Sequence, residues 1–269
     1  MRFINAPILV NSDSALQLEL KEKFTALYTD RHIKHFQIQL HIPFFKRWRI
    51  KKNLEKIQKL FYRLGYYFEV NKNLSNQQLL ELWRTVTKNL LNTGWDEKTI
   101  NLIIQRMKEY MTVELEIING NKDISLIEIE SHYEHKIGDV LLQREIIILS
   151  AKTSISSELF AVWKLYDILC EIESDLRDID NFGVKINRNR LMWLLKRNDL
   201  DNSIIQYRNY LTLLKKNTDS FLGSSIHHSD STDIEVVSRM IKNKINYCNQ
   251  KFQTWLINGT TLMSETLAK

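Results

Sequence analysis

The sequence predicts an all-α fold built from long helices joined by short loops. The chain of 269 residues contains only 2 Pro and 7 Gly, fewer turn residues than a β-rich chain of this length needs. Its hydrophobic content of 43% is enough to bury a sizeable core. Apolar residues recur three and four positions apart, which is the period of an amphipathic helix. We therefore expect one helical domain over residues 1–269, with disordered tails at 1–13 and 257–269.

The hydrophobic periodicity predicts about eight helices along the chain. They cover roughly residues 14–30, 43–67, 76–91, 96–111, 131–151, 156–179, 188–215 and 233–256. Ser75 and Asp96 stand where helix N-caps are expected, and Thr93-Gly94 ends the helix between them. These signals fix the best-defined boundaries.

Two segments between the predicted helices have other patterns. Residues 113–130 fit either a helix or a β-hairpin that turns at Asn119-Gly120, and the strongly helical flanks favour the helix. Residues 221–230 are polar and predict a loop.

Composition excludes several classes of protein. The two cysteines, Cys170 and Cys248, form no motif, so we expect a reducing cytoplasm and no structural zinc. No apolar run is long enough to predict a transmembrane helix, and no P-loop, Rossmann or G-x-S-x-G motif is present. The net charge of +6 suits an anionic ligand, a membrane surface or nucleic acid without choosing among them.

The most informative segment carries four acids on one helix face, which we call the acidic stripe: Asp167, Glu171, Asp175 and Asp178. On a helix they fall within about 80° of one another, beside an apolar face that would be buried. Like charges at this spacing repel, so a compensating cation is one physical reason to keep them. Hard carboxylate oxygens suit Mg²⁺. A solvated acidic face that pairs with lysines elsewhere is the alternative.

The acidic stripe and the residues after it resemble a known family. Glu171-Ile-Glu-Ser-Asp175, followed by Ile186-Asn-Arg-Asn-Arg-Leu191, resembles the second metal motif of bacterial class I isoprenoid (terpene) synthases. Glu171 and Asp175 also match the D-x-x-x-D spacing of squalene and phytoene synthase-like enzymes. Upstream, residues 119–128 are similar to the connection that begins a helix in terpene synthases, and Gly138-Asp139 follows where the family has a helix break.

The resemblance implies a helical bundle of the class I terpenoid synthase type. It implies Mg²⁺-dependent ionisation of a prenyl diphosphate, followed by cyclisation or coupling. Glu171, Asp175 and Arg190 would be catalytic, and Asp178 and a lone Asp30 would join the two acids as metal ligands. No DDxxD motif occurs, so Asp30 is the only candidate for the opposing side.

The resemblance also implies a diphosphate site and an apolar pocket. The diphosphate contacts would be Arg177, Asn187 and Arg190, although Asn187 equally suits a helix cap and Arg177 equally suits a pair with Glu173. The prenyl tail would lie among aromatic and small residues. These are Phe160, Trp163, Tyr166, Tyr133 and Gly138, with Trp193 and Tyr247 as further candidates. Tyr133 stands where the family has a diphosphate-sensing arginine.

Other functions compete with this interpretation. A non-catalytic helical protein that binds a lipid or a partner would need no first metal motif. Residues 44–59 are basic and amphipathic, which suits an anionic membrane, nucleic acid, or a solvated helix with Trp48 in the core. His132 and His135 share a helix face and are expected to be exposed. We expect a prenyl diphosphate substrate, peripheral membrane contact and a homodimer, and do not expect nucleic acid.

Overall fold

The computed structural model describes residues 44–70, 75–91, 94–118, 129–151, 155, 157–178, 189–197, 200–225 and 232–266. All regular secondary structure in these ranges is α-helical, which confirms the predicted all-α class. The helices are α1 (Phe44–Val70), α2 (Asn76–Leu91), α3 (Glu97–Ile118), α4 (Ile129–Lys136), α5 (Gly138–Ala151), α6 (Ser157–Asp178), α7 (Arg190–Arg197), α8 (Leu200–Ser225) and α9 (Thr232–Thr266). None of these described helices is long and apolar enough to cross a membrane.

The described helices divide into two compact units. The first unit contains α1, α2, α3 and, from Asp139 onward, α5. The second contains α4 and α6 to α9. The single domain over residues 1–269 stays a prediction.

The first unit is held together by the apolar face of α1, which packs on α3, while α3 also packs on α2. Fully buried members of this core are Leu54, Ile57, Val86, Leu90, Ile103 and Met107. Burial of such side chains contributes about 1.5–3 kcal/mol each, so the core dominates the stability of this unit. A polar link lies within it, where the Gln143 amide donates to Gln58, which in turn contacts Asp139 at 3.5 Å.

The helix boundaries in the first unit follow the predicted caps. The Ser75 hydroxyl accepts a hydrogen bond from the amide of Gln78, and the Gln78 side chain reaches back to the Ser75 amide at 2.9 Å. Asp96 accepts from the amide of Thr99 at 2.7 Å. Gly94, shortly before α3, has a φ of 77°, which a residue with a side chain rarely adopts.

Some predicted boundaries are wrong. The predicted helix over 131–151 is broken by a turn at Ile137 into α4 and α5, directly before Gly138. The predicted helix over 188–215 is two helices, α7 and α8, and α8 continues to Ser225 into the predicted loop. Helix α9 runs to Thr266, through most of the segment predicted as a tail.

The hairpin alternative is wrong for its first strand. Residues from Val113 to Ile118 form the last turns of α3. Its turn and most of its second strand, residues 119–128, lie outside the described residues, as does the predicted helix over 14–30.

Helix α6 is the centre of the second unit. It packs on α4, α7 and α9, and α8 packs on α7 and α9. The core side chains are Leu169, Ile172, Leu191, Leu211, Ile245 and Phe252. Because other helices pack on α6 from several sides, the acids next to its apolar face lie close to the interior of the unit.

Candidate functional site

The acidic stripe lies on α6 and is more deeply buried than a solvated face would be. Asp167 and Asp175 are buried, and Glu171 between them is half-buried. They flank Ile168, Ile172 and Leu176, which pack in the core. A buried carboxylate is costly unless donors or cations surround it, so the partners of each acid decide its role.

Asp175 is the hub of the site and is only 2% exposed. Its Oδ1 lies 2.6 Å from the Lys136 Nζ on α4. Its Oδ2 accepts hydrogen bonds from the Tyr133 hydroxyl at 2.8 Å and from the Arg190 backbone amide at 3.2 Å. Both carboxylate oxygens are therefore engaged by protein donors, the arrangement that makes a buried charge tolerable.

Lys136 is the cation that joins two acids of the stripe. Its ammonium is 3.4 Å from Glu171 Oε2 as well as 2.6 Å from Asp175. Burial alone would lower the pKa of Lys136, but the two carboxylates outweigh it and the pKa is raised. Burial raises the pKa of Glu171, against the opposing effect of Lys136. Lys136 is thus charged at neutral pH and neutralises part of the stripe.

The start of α7 docks on the last turns of α6. Asn189 is the N-cap of α7, since its side-chain oxygen accepts from the amide of Met192 at 3.0 Å. The Asn189 amide group donates to the backbone oxygen of Asp175 at 2.8 Å. The positive end of α7 therefore faces the Asp175 carboxylate.

Two tyrosines extend the network away from Asp175. The hydroxyls of Tyr133 and Tyr207 are 2.6 Å apart, and both side chains are fully buried. Since Tyr133 donates its proton to Asp175, Tyr207 must donate to Tyr133. Burial and the nearby Asp175 charge raise the pKa of both tyrosines, so both stay protonated. The Tyr133 ring also stacks on Tyr210, with centroids 5.8 Å apart.

His132 is buried, so the expectation that it is exposed is wrong. It is 3% exposed, and neither ring nitrogen has a hydrogen-bond partner among the described residues. Burial first, and then the charges of Lys136, Arg190 and His135, lower its pKa to about 3. A neutral imidazole therefore sits beside a group of cations.

The predicted pocket residues are divided between interior and surface. Trp163 and Tyr166 are buried, with an edge-to-face contact at 5.9 Å between ring centroids, and Phe160 is half-buried. Gly138 begins α5. Tyr247 is 41% exposed, and its place in the lining stays a prediction.

The predicted diphosphate contacts differ in burial. Arg190 is buried beside Asp175, whereas Arg177 is exposed and donates to Ser174 at 3.3 Å. Glu173 forms a hydrogen-bonded ion pair with Lys244 on α9. The diphosphate role of Arg177 stays a prediction.

Several predicted residues cannot be placed in this site. Asp30 and Asn187 lie outside the described residues. Asp178 is the last residue of α6, but its side chain lies outside the described part of the chain, as does that of Trp193. Their predicted roles stay predictions.

The stripe has the oxygen ligands that a divalent cation takes, but in the described residues these oxygens already have protein partners. Carboxylate oxygens are the ligands that Mg²⁺ prefers. However, both oxygens of Asp175 already accept from protein donors, and the cation between Asp175 and Glu171 is the Lys136 ammonium. In the part of the chain that the structure describes, no group of three or more acids, histidines or cysteines is arranged to hold a metal.

Four residues of the site were missed from sequence: Lys136, His132, Asn189 and Tyr207. None of them lies on α6 with Asp175: Lys136 and His132 belong to α4, Tyr207 belongs to α8, and Asn189 precedes α7. The one available signal was Asn189, which precedes an apolar helical run in the position of an N-cap. The other three depend on how α4 packs on α6 and on α8.

Comparison of the chain with protein-family models, with curated proteins and with solved structures finds no match. Inferences about function therefore depend on the geometry of the site and on the motif resemblance.

Proposed function

We propose that the second unit is a class I isoprenoid synthase-type domain that acts on a prenyl diphosphate. The reaction is Mg²⁺-dependent ionisation followed by cyclisation or coupling. One observation supports the proposal: the acidic helix α6 and the start of α7 at Arg190, which carry the two parts of the resembling motif, meet at Asp175. Asn189 and Arg190 are 14 and 15 residues from Asp175 in sequence, so these contacts arise from the packing of α7 on α6.

The residues around Asp175 have the charges that such a substrate needs. Lys136 and Arg190 are cations beside a buried neutral imidazole, and an anionic diphosphate would be attracted to them. Trp163 and Tyr166 supply buried aromatic surface on the same helix as the acids, which suits an apolar tail. In the described arrangement Lys136 holds Asp175, so a divalent ion would have to compete with that ammonium for the carboxylate.

Turnover of allylic diphosphates tests the proposal. The protein is incubated with substrates of increasing chain length, with and without Mg²⁺, and released diphosphate and products are measured by mass spectrometry. Glu171→Gln should lower turnover roughly 100-fold, since such groups act directly on developing charge. Glu173→Gln is the matched control, because Glu173 lies on the same helix but pairs with Lys244.

A second candidate is a non-catalytic helical protein that binds a lipid or a partner on the same scaffold. The ion pairs of Lys136 support it, because an internal ammonium already neutralises the acids. Thermal unfolding with Mg²⁺ plus inorganic diphosphate separates the candidates. A synthase should gain about 2.7 kcal/mol at a ligand concentration 100 times Kd, whereas the second candidate gains nothing. Absence of diphosphate release from every substrate would also favour the second candidate.

A further inference from the structure

The N-terminal helix of the first unit, α1, presents a tryptophan to solvent. Trp48 is 62% exposed, so the interpretation that it lies in the core is wrong. The Lys52 ammonium lies 3.8 Å from the centroid of its ring, a cation–π contact that holds the ring against the helix surface. The surface of α1 therefore carries an aromatic ring and a cation side by side.

This ring belongs to a strongly basic face. Four exposed residues within about 100° on α1 define it, and we call them the basic face: Trp48, Arg49, Lys52 and Lys56. The opposite side of α1 carries the buried Leu54 and Ile57, so the helix has one buried and one charged side.

The charge of α1 is markedly unbalanced. Among its described side chains there are seven cations: Arg47, Arg49, Lys51, Lys52, Lys56, Lys59 and Arg63. Glu55 is the only acid among them. The helix therefore has the charge pattern of a segment that meets a polyanionic surface.

We infer that the basic face binds the surface of an anionic phospholipid bilayer. Lysine and arginine side chains near such a surface each strengthen binding roughly fivefold through its negative potential. Tryptophan rings prefer the headgroup level, where their apolar body and polar edge are both satisfied. The apolar side of α1 is packed in the first unit, so binding would depend on the lysine and arginine charges and on the Trp48 ring rather than on insertion of an apolar helix face.

Nucleic acid fits the basic face less well. Single strands are bound by several aromatic rings on which successive bases stack, and the basic face has one ring, with Lys52 lying over it. Three of the four residues are cations, but only Arg49 has the planar fork suited to phosphate, and its Nη2 points to the Gly94 oxygen at 3.4 Å. Attraction to a charged lipid surface does not require the planar fork of an arginine.

Vesicle co-sedimentation tests the inference with the full chain. The wild-type protein should pellet with vesicles of phosphatidylcholine and phosphatidylserine, remain free with phosphatidylcholine alone, and be released by salt. Removing two charges in Lys52→Gln/Lys56→Gln should weaken binding roughly 30-fold. Lys215→Gln/Lys216→Gln is the matched control, since these lysines are exposed on α8 and the charge change is equal. Trp48→Ala should weaken binding while Ile257→Ala, at another exposed apolar residue, should not.

Three results would overturn the inference. The first is no binding of the wild-type protein to anionic vesicles at low salt. The second is equal weakening by the α8 control pair, which would show that only net charge matters. The third is binding to single-stranded oligonucleotides that depends on Trp48 and Lys52 when vesicle binding does not. Circular dichroism verifies that each variant is folded, and none of these results depends on prenyl diphosphate turnover.

Discussion

The acidic stripe on α6 and the basic face on α1 both carry like charges three or four residues apart. The acidic stripe lies among other helices, whereas the basic face lies on the surface. On α6, Asp175 is 2% exposed and meets a lysine, a tyrosine and a backbone amide. On α1, Lys52 and Lys56 are exposed to solvent. Like charges at helical spacing are therefore compatible with burial only where other helices supply opposite charge and donors.

The energetic reason is the cost of dehydrating an ion. A charge in water interacts weakly with its neighbours, so the basic face costs little and leaves its cations available to a partner. A buried carboxylate without partners costs several kcal/mol, so Asp175 depends on Lys136. Variants that remove partners of the acidic stripe, or charges of the basic face, test this difference.

The largest expected effect is at Lys136. Lys136→Met leaves the buried Asp175 and the half-buried Glu171 without their cation and should lower the free energy of unfolding by about 3–5 kcal/mol. Urea unfolding monitored by circular dichroism measures it. Lys164→Met is the control: its 2.5 Å pair with Glu134 has side chains 35% and 43% exposed, so the loss should stay below about 1 kcal/mol. Equal losses of unfolding free energy in the two variants would show that the buried ion pairs stabilise the protein no more than the exposed pair does.

The next effect concerns His132 at acid pH. Its folded pKa of about 3 lies below the usual 6.5, so the unfolded chain binds its proton first as the pH falls. The stability due to neutral His132 is present above pH 6.5 and is lost between pH 6.5 and 3, by roughly 3 kcal/mol at pH 4. His132→Phe should flatten this part of the stability–pH curve. Parallel curves for the wild type and His132→Phe would contradict the buried neutral imidazole.

A smaller effect is expected at the tyrosine hydroxyls. Tyr133→Phe removes one donor from Asp175 and should cost about 1–3 kcal/mol, since a hydrogen bond to a buried charge is lost. Tyr207→Phe should cost less, because Lys136, Tyr133 and the Arg190 amide still serve Asp175. Tyr247→Phe, at an exposed ring, should leave the urea midpoint unchanged. A reversed order of the first two variants would exclude Asp175 as the hub.

The smallest effect on stability is expected on the basic face. Lys52→Gln/Lys56→Gln should change the free energy of unfolding by less than about 0.5 kcal/mol, because both lysines are exposed. The urea midpoint measures this in the same assay. A loss of 2 kcal/mol would mean that these lysines stabilise the first unit itself.

Periodicity and cap chemistry were enough to predict much of the helical pattern. Ser75 and Asp96 begin their helices because their side chains satisfy amides of the first turn, which is a local interaction. The acidic stripe was predicted for the same reason, since residues four apart on one helix share a face whatever surrounds them.

The partners of the stripe could not be predicted, because they depend on packing between helices distant in sequence. Lys136 is 39 residues from Asp175, and nothing in the residues around it indicates that α4 packs on α6. The hydrophobic period predicted an unbroken helix over 131–151, and only the resemblance at Gly138-Asp139 indicated a break in this region. Trp48 was expected in the core because aromatic residues at helical spacing usually are, but here Lys52 covers the ring on the surface.

A double-mutant cycle between Lys136 and Asp175 tests the central claim, that the buried acid of the stripe is held by this lysine. Urea unfolding is measured for the wild type, Lys136→Met, Asp175→Asn and the double variant. The account predicts a coupling free energy of about 2–3 kcal/mol, because each single change removes the nearest opposite charge of the remaining partner. Effects that add within about 0.5 kcal/mol would show that the two side chains do not interact, and would contradict the account.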